Sequence, residues 1–352
     1  MLEDARLRNV TIFREFVWDS LSNVNLVIGE NDTGKSNLLR MLYAVSRSFQ
    51  EFTRFNDEAP PGRWSDLLAK KLQWTFQPPE LKLGKLVRKG EDRLRVQCTF
   101  REHGRADFSF GKDTTSEIRN ADTDVGSAEA EIGPRFVHTL FFPPKEVLTT
   151  LKAIASTREQ RQIRGFGDTY YDLITALRQP QSYGDKPQEL ERVQEALDDM
   201  FPGKIRQRDD GTFEYRRGPG RYDMTQTAQG IKKIGTLAHL LRNGEIQQGS
   251  ILFFDEPSAN LNPKGILRLV ELLFALGQVG VQVFVATHSY VVLKQFQLLA
   301  REHEERTPLC VLSREDDGIE AEHVDLRDRI PENPIVSASV DLFERDLAQK
   351  LA

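Results

Sequence analysis

A chain of 352 residues with 39% hydrophobic and 29% charged residues is built to bury one or two large cores, which excludes a disordered or fibrous protein. Its net charge of −5 excludes a uniformly basic polyanion binder and leaves room for local basic patches. Only Cys98 and Cys310 occur, each inside a strand-like run, so two buried thiols in a reducing cytoplasm are expected rather than a disulfide scaffold.

The opening MLEDARLRNVTIF lacks a basic stretch followed by an apolar one, and no window reaches the roughly 18 uncharged apolar residues of a membrane span. A cytoplasmic chain without membrane contact is expected. Val24–Ile28 reads as a buried strand, and Leu38, Leu39, Leu42 and Val45 follow at helical spacing. Between them Gly29, Glu30, Asn31, Asp32, Thr33, Gly34, Lys35 and Ser36 match G-x-x-x-x-G-K-[ST] in the strand–loop–helix setting that this motif requires, with Asn37 next. Such a loop aims backbone N–H groups at phosphate oxygens, and the helix start adds its partial positive charge. Lys35 would reach the β- and γ-phosphates, and the Ser36 hydroxyl would ligate Mg²⁺.

Residues 49–135 form a β-rich and loop insertion. DEAPPGRWSD and FQPPELKLG mark loops, LRVQCTFREHGRADFSFG alternates like an antiparallel hairpin, and KDTTSEIRNADTDVGSAEAEIG reads as a polar, mobile loop. Residues 136–222 form a helical lobe and a hairpin. The period is helical over 146–201, with Arg158, Arg161 and Arg164 on one face; a solvated face is the default, a phosphate-backbone or partner contact the alternative. KIRQRDDGTFEYRRG is an arginine-rich hairpin on a DDG turn, without the interleaved aromatics that stack single-stranded bases.

In residues 223–352, TAQGIKKIGTLAHLL reads as an amphipathic helix burying Ile231, Ile234, Leu237 and Leu241. A short buried strand, Ile251–Phe254, ends on Asp255, placed to hold Mg²⁺, and Glu256 follows as a candidate general base. Pro263 suits the first turn of the next helix. Val281–Ala286 is another apolar strand with His288 just beyond its C-terminal end, the edge where ligands gather in parallel sheets. The remainder reads as a strand, a hairpin over EDDG and a terminal helix, with Glu315, Asp316 and Asp317 in a turn rather than a chelating cluster.

Together GENDTGKS, FFDEP, SANLNP and ATHS resemble the Walker A, Walker B, D-loop and switch-histidine motifs of ABC-type ATPase heads. The chain is similar to the soluble branch that includes RecF, SMC-like and OLD-like ATPases. The resemblance spans residues 1–48 and roughly 135–345, specific in the motifs and weak between them. It implies an α/β P-loop fold of the ABC-ATPase type, a mixed sheet flanked by helices with an antiparallel β subdomain and a helical insertion. It further implies ATP and Mg²⁺ as ligands, Glu256, His288 and Lys35 as catalytic residues, and a homodimer or higher homo-oligomer closed by ATP.

In such heads a signature loop caps the nucleotide of the opposite subunit. Thr227, Ala228, Gln229, Gly230 and Lys232 occupy its place here, with Lys233 as a further cation and Asn260 and Asn262 in the D-loop. Ala228 stands where the family has serine and Asn262 where it has aspartate, which bears on hydrolysis more than on binding. No Q-loop glutamine is evident; the resemblance puts that loop in FVHTLFFPPKEVL, where an expected strand over 136–142 ends. The implied role is the ATPase or sensor component of a DNA-related or phage-defence system, with a separately encoded effector such as a nuclease and DNA as a further partner. A RecF-like repair ATPase and a slow-turnover, ATP-locked scaffold are the alternatives.

Overall fold

The computed structural model describes residues 1–53, 63–101, 104–124, 138–160, 163–180, 187–200, 203–316 and 318–351. The first half runs β1 (Leu2–Val10), β2 (Phe13–Trp18), β3 (Val24–Gly29), α1 (Lys35–Thr53), α2 (Arg63–Phe76), β4 (Arg93–Phe100), β5 (Gly104–Gly111), β6 (Asn120–Asp124) and β7 (Thr139–Phe142). There follow α3 (Leu151–Ala155), extended by a π turn, then α4 (Asp168–Leu177), α5 (Gln188–Met200), β8 (Lys204–Gln207), β9 (Phe213–Arg217) and β10 (Gly220–Asp223). The chain continues as α6 (Gln229–Arg242), β11 (Ile251–Asp255), α7 (Pro263–Gln278), β12 (Gln282–Thr287), α8 (Tyr290–Glu302), β13 (Pro308–Glu315), β14 (Gly318–Asp325) and α9 (Pro334–Leu351).

The central sheet has the order β14-β13-β3-β12-β11-β7, parallel except for β14. Its inner strands β3, β11 and β12 are buried along their whole length, which is why they read as continuous apolar runs instead of alternating ones. Ile251 and Phe253 face one core, which holds α1 and the antiparallel sheet. Leu252 and Phe254 face the other, which holds α4, α6, α7 and α8. The antiparallel sheet, β2-β1-β4-β5-β6, draws β1 and β2 from before the P-loop and the rest from after α2. It covers α1 with its apolar face and keeps charged residues outside, as the alternation along β4 requires. Cys98 in β4 and Cys310 in β13 are buried free thiols, and burial pushes both pKa values up.

Several expectations need correction. The segment read as loops and a hairpin also holds α2, whose Trp64, Leu68 and Leu72 recur every four residues and bury one face. The flanking prolines signal turns and mask that period; residues 54–62 lie outside the described chain. Part of the stretch read as a mobile polar loop, Asn120–Asp124, is an edge strand on β5, held by backbone bonds that ask little of its side chains; residues 125–137 lie outside the described chain. The strand expected over 136–142 is described from Thr139.

Arg158 is not on a solvated face: it bonds Asp168 at 3.1 Å and lies 3.5 Å over the Trp74 ring. Arg164 is exposed, and Arg161 and Asp317 lie outside the described residues. Arg158 borders a buried ionic cluster that ties the P-loop helix α1 to α2 and α4. Lys71 reaches Asp172 at 2.8 Å and Asp168 at 3.0 Å, and Tyr43 donates to Asp172. Burial opposes the Lys71 charge, but Asp172, Asp168 and Glu51 outweigh it and raise the pKa. Among the described residues no helix is long and apolar enough to cross a membrane.

Candidate nucleotide site

The strand order sets β3 beside β12 and β12 beside β11, so three C-terminal strand ends open on one edge. That edge brings together Gly29 to Ser36, Asp255 with Glu256, and His288. The loop after β3 is tightly built. A Cβ on Gly29 would meet the Leu312 carbonyl at 2.5 Å, and one on Gly34 would meet Ile12 at 2.6 Å. Gly34 has φ 89° and Asp32 φ 66°, turning the backbone into the left-handed region that exposes successive N–H groups. Thr33 is buried and donates to the Glu30 carbonyl at 2.9 Å, while Asp32 pairs with Arg314 at 2.6 Å. Glu30, Asn31 and Asp32 are exposed, and Asn37 is half-buried on α1.

Lys35 opens α1 with its ammonium folded back on the Gly29 and Glu30 carbonyls, each at 2.7 Å. Burial lowers its pKa, against the pull of Glu256, Asp255 and Glu30. A residue so placed is a cation held in reserve inside a loop of amides, and both features suit an anion. The Ser36 hydroxyl donates to Asp255 Oδ1 at 2.9 Å. Asp255 Oδ2 is buried with no partner among the described residues. Burial raises the Asp255 pKa, and the Ser36 bond and the nearby Arg40 charge hold that rise back.

A buried carboxylate oxygen without a donor costs free energy unless something positive meets it. The donor set of one hydroxyl and one carboxylate is what Mg²⁺ uses when phosphates and waters complete its shell. The residues therefore fit the metal. Arg40 was not singled out in the sequence, although its spacing of four from Ser36 places it one turn along the same helix face. Its Nε is also buried without a partner among the described residues. Tyr170 of α4 lies near enough to feel both Arg40 and Asp255, and burial raises its pKa; no local sequence signal marks it.

Glu256 leaves the strand at φ 50°, a strained angle for a residue with a side chain, and its N–H donates to the Ala286 carbonyl at 2.9 Å. Its carboxylate meets His288 Nδ1 at 2.7 Å and stands 3.4 Å from both the Thr287 hydroxyl and the His288 N–H. His288 is 59% exposed where Glu256 is 17% exposed, so the pair runs from the sheet edge out to solvent.

The signature-like side is arranged differently. Thr227 is buried, and its hydroxyl donates to the Asp223 carbonyl at 2.9 Å. Ala228 caps α6 without any side-chain bond, and it and Gln229 are exposed. Gly230 packs on the D-loop; a Cβ there would lie 2.9 Å from Leu261. The two lysines do not project outward. Lys232 is buried 3.5 Å from Glu146, and Lys233 bonds the Ala259 carbonyl at 2.9 Å and the Pro257 carbonyl at 3.2 Å. Burial lowers the Lys233 pKa to about 8, with Glu256 acting against it. Asn260 is exposed at φ 64°, and Asn262 is the N-cap of α7, accepting from the Gly265 N–H at 2.8 Å.

Residues 24–294 match the family described as "AAA domain, putative AbiEii toxin, Type IV TA system". No curated protein matches the chain. Among solved structures it is similar to the SMC head domain from Thermotoga maritima, at 14% identity over 92% of this chain and 99% of that one, with a TM-score of 0.49. It is also similar to the Smc head bound to the C-winged helix domain of ScpA, at 13% identity over 93% of this chain and 98% of that one, with a TM-score of 0.53. A third is the Pyrococcus furiosus Smc head with an extended coiled coil, at 11% identity over 93% of this chain and 97% of that one, with a TM-score of 0.49. The likeness at 0.53 speaks for the fold alone.

Proposed function

We propose, from the premise that this chain belongs to the AAA_21 family of P-loop ATPase domains, that it is a Mg²⁺-dependent ATPase that dimerises on ATP through two composite sites. The observation that carries the reading is the Asp255 carboxylate, one oxygen on Ser36 and the other buried and unmet, in front of a phosphate-shaped loop. Mg²⁺, when bound, neutralises charge on the β- and γ-phosphate oxygens, and Ser36 and Asp255 would hold it.

The chain's own residues do the rest. Lys35 exchanges the carbonyls of Gly29 and Glu30 for phosphate oxygens, and the N–H groups of residues 30–36 bind the remaining ones. Glu256 accepts a proton from the attacking water. His288 orients that carboxylate through Nδ1 and turns its exposed side toward the γ-phosphate. From the second subunit, the α6 start at Ala228–Gly230 offers backbone N–H groups to the same phosphate, beside Asn260 of the D-loop. Residues 1–48 and 223–352 then form the head together with β7, which pairs with β11, while 49–135 is its β-rich insertion and the rest of 136–222 its helical lobe and hairpin. The description of its family, which speaks of an AbiEii toxin, suits a role in defence; a cytoplasmic component acting with a separate effector is the form of that role proposed here.

Glu256→Gln tests the reading. The variant should accumulate as a dimer in saturating ATP and Mg²⁺ by light scattering after gel filtration, and co-purify with the effector; a variant that stays monomeric overturns composite sites. The second reading, an ATP-locked scaffold with slow turnover, is favoured by Ala228, which offers no hydroxyl, and by Asn262, whose side chain is committed to capping α7. It expects turnover below about 1 s⁻¹, against the median of about 10 s⁻¹ for enzymes, and a several-fold gain in Ala228→Ser.

A further inference from the structure

The three-stranded sheet β10-β9-β8 is separate from the central sheet that carries the phosphate loop, and its charge is sided. Its inner face packs on the helical core through the buried Ile205, Phe213 and Tyr215, with Phe213 meeting the His239 ring of α6 edge-on at 5.2 Å, and carries exposed Gln207, Arg217 and Tyr222 at its rim. Its outer face carries Lys204, Arg206, Arg208, Arg216 and Arg221. Among the described residues Glu214 and Asp223 share that face, and the exposed Asp209 and Asp210 lie in the β8–β9 turn beside it.

The pairing register makes this face unusual. Arg221 is directly opposite Arg216, and Arg216 is directly opposite Lys204, so three cations occupy one rung across all three strands. Like charges directly opposed on neighbouring strands destabilise a sheet. Lysine and arginine on edge strands are a common guard against edge-to-edge pairing, and that would explain Lys204 or Arg221 taken singly. It does not explain a third cation on the central strand facing both.

Nor do the carboxylates neutralise the face. Glu214 is shared by Arg208 and Arg216, which hold it below the usual carboxylate range, and Asp223 is taken by Arg208 and Thr225. Lys204, Arg206 and Arg221 are exposed and form no ion pair among the described residues. The outward rung spans about 10 Å, two strand spacings, and carries no aromatic side chain.

We propose that this outer face is a docking platform for the phosphate backbone of duplex nucleic acid, bound without regard to sequence. Cations in excess over carboxylates, held on a rigid sheet at a cost in stability, complement a polyanion. Among the described residues the outer face carries no aromatic side chain, the exposed Tyr222 lying on the opposite one, which points to backbone contact rather than to base stacking. The platform's last strand ends at Asp223, whose carboxylate accepts from Thr225 N–H at 2.9 Å and whose carbonyl accepts from Thr227. Bound duplex would therefore lie one short turn from the signature-like loop. The platform itself does not depend on the ATPase reading.

The test is a fluorescence-anisotropy titration of the full chain, without nucleotide, against a labelled mixed-sequence DNA duplex over a salt series. Three phosphate contacts, by Lys204, Arg206 and Arg221, unpaired among the described residues, predict a slope of log K against log salt of about −2.7. In Lys204→Gln/Arg221→Gln that slope should fall by about two-thirds and affinity at least about tenfold, while the melting temperature stays equal or rises because the like-charge rung is relieved. Arg93→Gln/Arg95→Gln, on the other antiparallel sheet, should leave binding unchanged. No salt-dependent duplex binding, equal loss in both double variants, or binding of poly-glutamate in preference to the duplex would each overturn the platform. Lys35→Ala separates the two proposals: its duplex binding should persist whether or not the ATPase reading holds.

Discussion

The two halves of the candidate site differ in how their polar groups are spent. On the phosphate side they wait for a ligand: Asp255 Oδ2 is buried and unmet, and Lys35 is bonded only to loop carbonyls that it can leave. On the signature-like side they are already satisfied within the chain. Thr227 bonds Asp223, Lys232 lies on Glu146, Lys233 spans the D-loop carbonyls and Asn262 caps α7. Among the described residues, backbone N–H groups, the exposed Ala228 and Gln229 and Asn260 of the D-loop remain for a second subunit. Under the proposed function, the contrast assigns affinity for nucleotide to one half and its use to the other. A half that offers amides without a hydroxyl suits holding a phosphate better than accelerating its transfer.

Substitutions on the two sides should therefore separate binding from use. The largest effect is expected from Lys35→Ala, which removes the charge that the loop stores; a charge-assisted bond is worth about 1.5–3 kcal/mol, so nucleotide affinity should fall by about 10- to 100-fold in equilibrium titration. Unchanged affinity would put the phosphate side elsewhere. Asn262→Ala should cost about 1 kcal/mol in denaturant unfolding through the lost α7 cap, with nucleotide affinity of the monomer retained. A loss of affinity instead would mean that the two halves are not separate.

The smallest effect concerns Lys233. Its folded pKa of about 8 lies below the ordinary 10.5, so between those values the unfolded chain binds the proton that the folded chain has shed. Stability should then rise with pH across that window, the burdened charged form being confined to lower pH. Lys233→Met should lose this rise, as read from melting temperatures in a pH series; an identical pH profile in both proteins would show that Lys233 stays charged on the D-loop carbonyls.

Much of the phosphate side was legible because its chemistry is local. Gly29, Gly34, Lys35 and Ser36 lie in one loop, and the strand and helix around it carry their own periods. Asp255, Glu256 and His288 were legible because each follows an apolar strand that can only be a buried one. Arg40 could have been read from its spacing to Ser36. Tyr170 could not, since nothing near it announces that α4 approaches Asp255. The same limit hid the cluster of Lys71, Asp168 and Asp172, whose lysine lies 101 residues from Asp172 in sequence and whose members look like ordinary surface charges until α1, α2 and α4 pack. It also hid the fate of Lys232 and Lys233, which a helical period places near an open helix start but which long side chains carry inward.

The sequence by itself determined the P-loop, the apolar strands, the helical periods and the order of the catalytic candidates, because turn chemistry and hydrophobic period act between residues a few positions apart. Only the tertiary structure decided that β12 lies between β3 and β11 and so draws three motifs to one edge. It alone decided which cations are neutralised and which are left facing outward on β8, β9 and β10. Those outcomes depend on strand register and on packing between distant segments, where a pair of charges is worth something only once the backbone has placed them within a few ångströms.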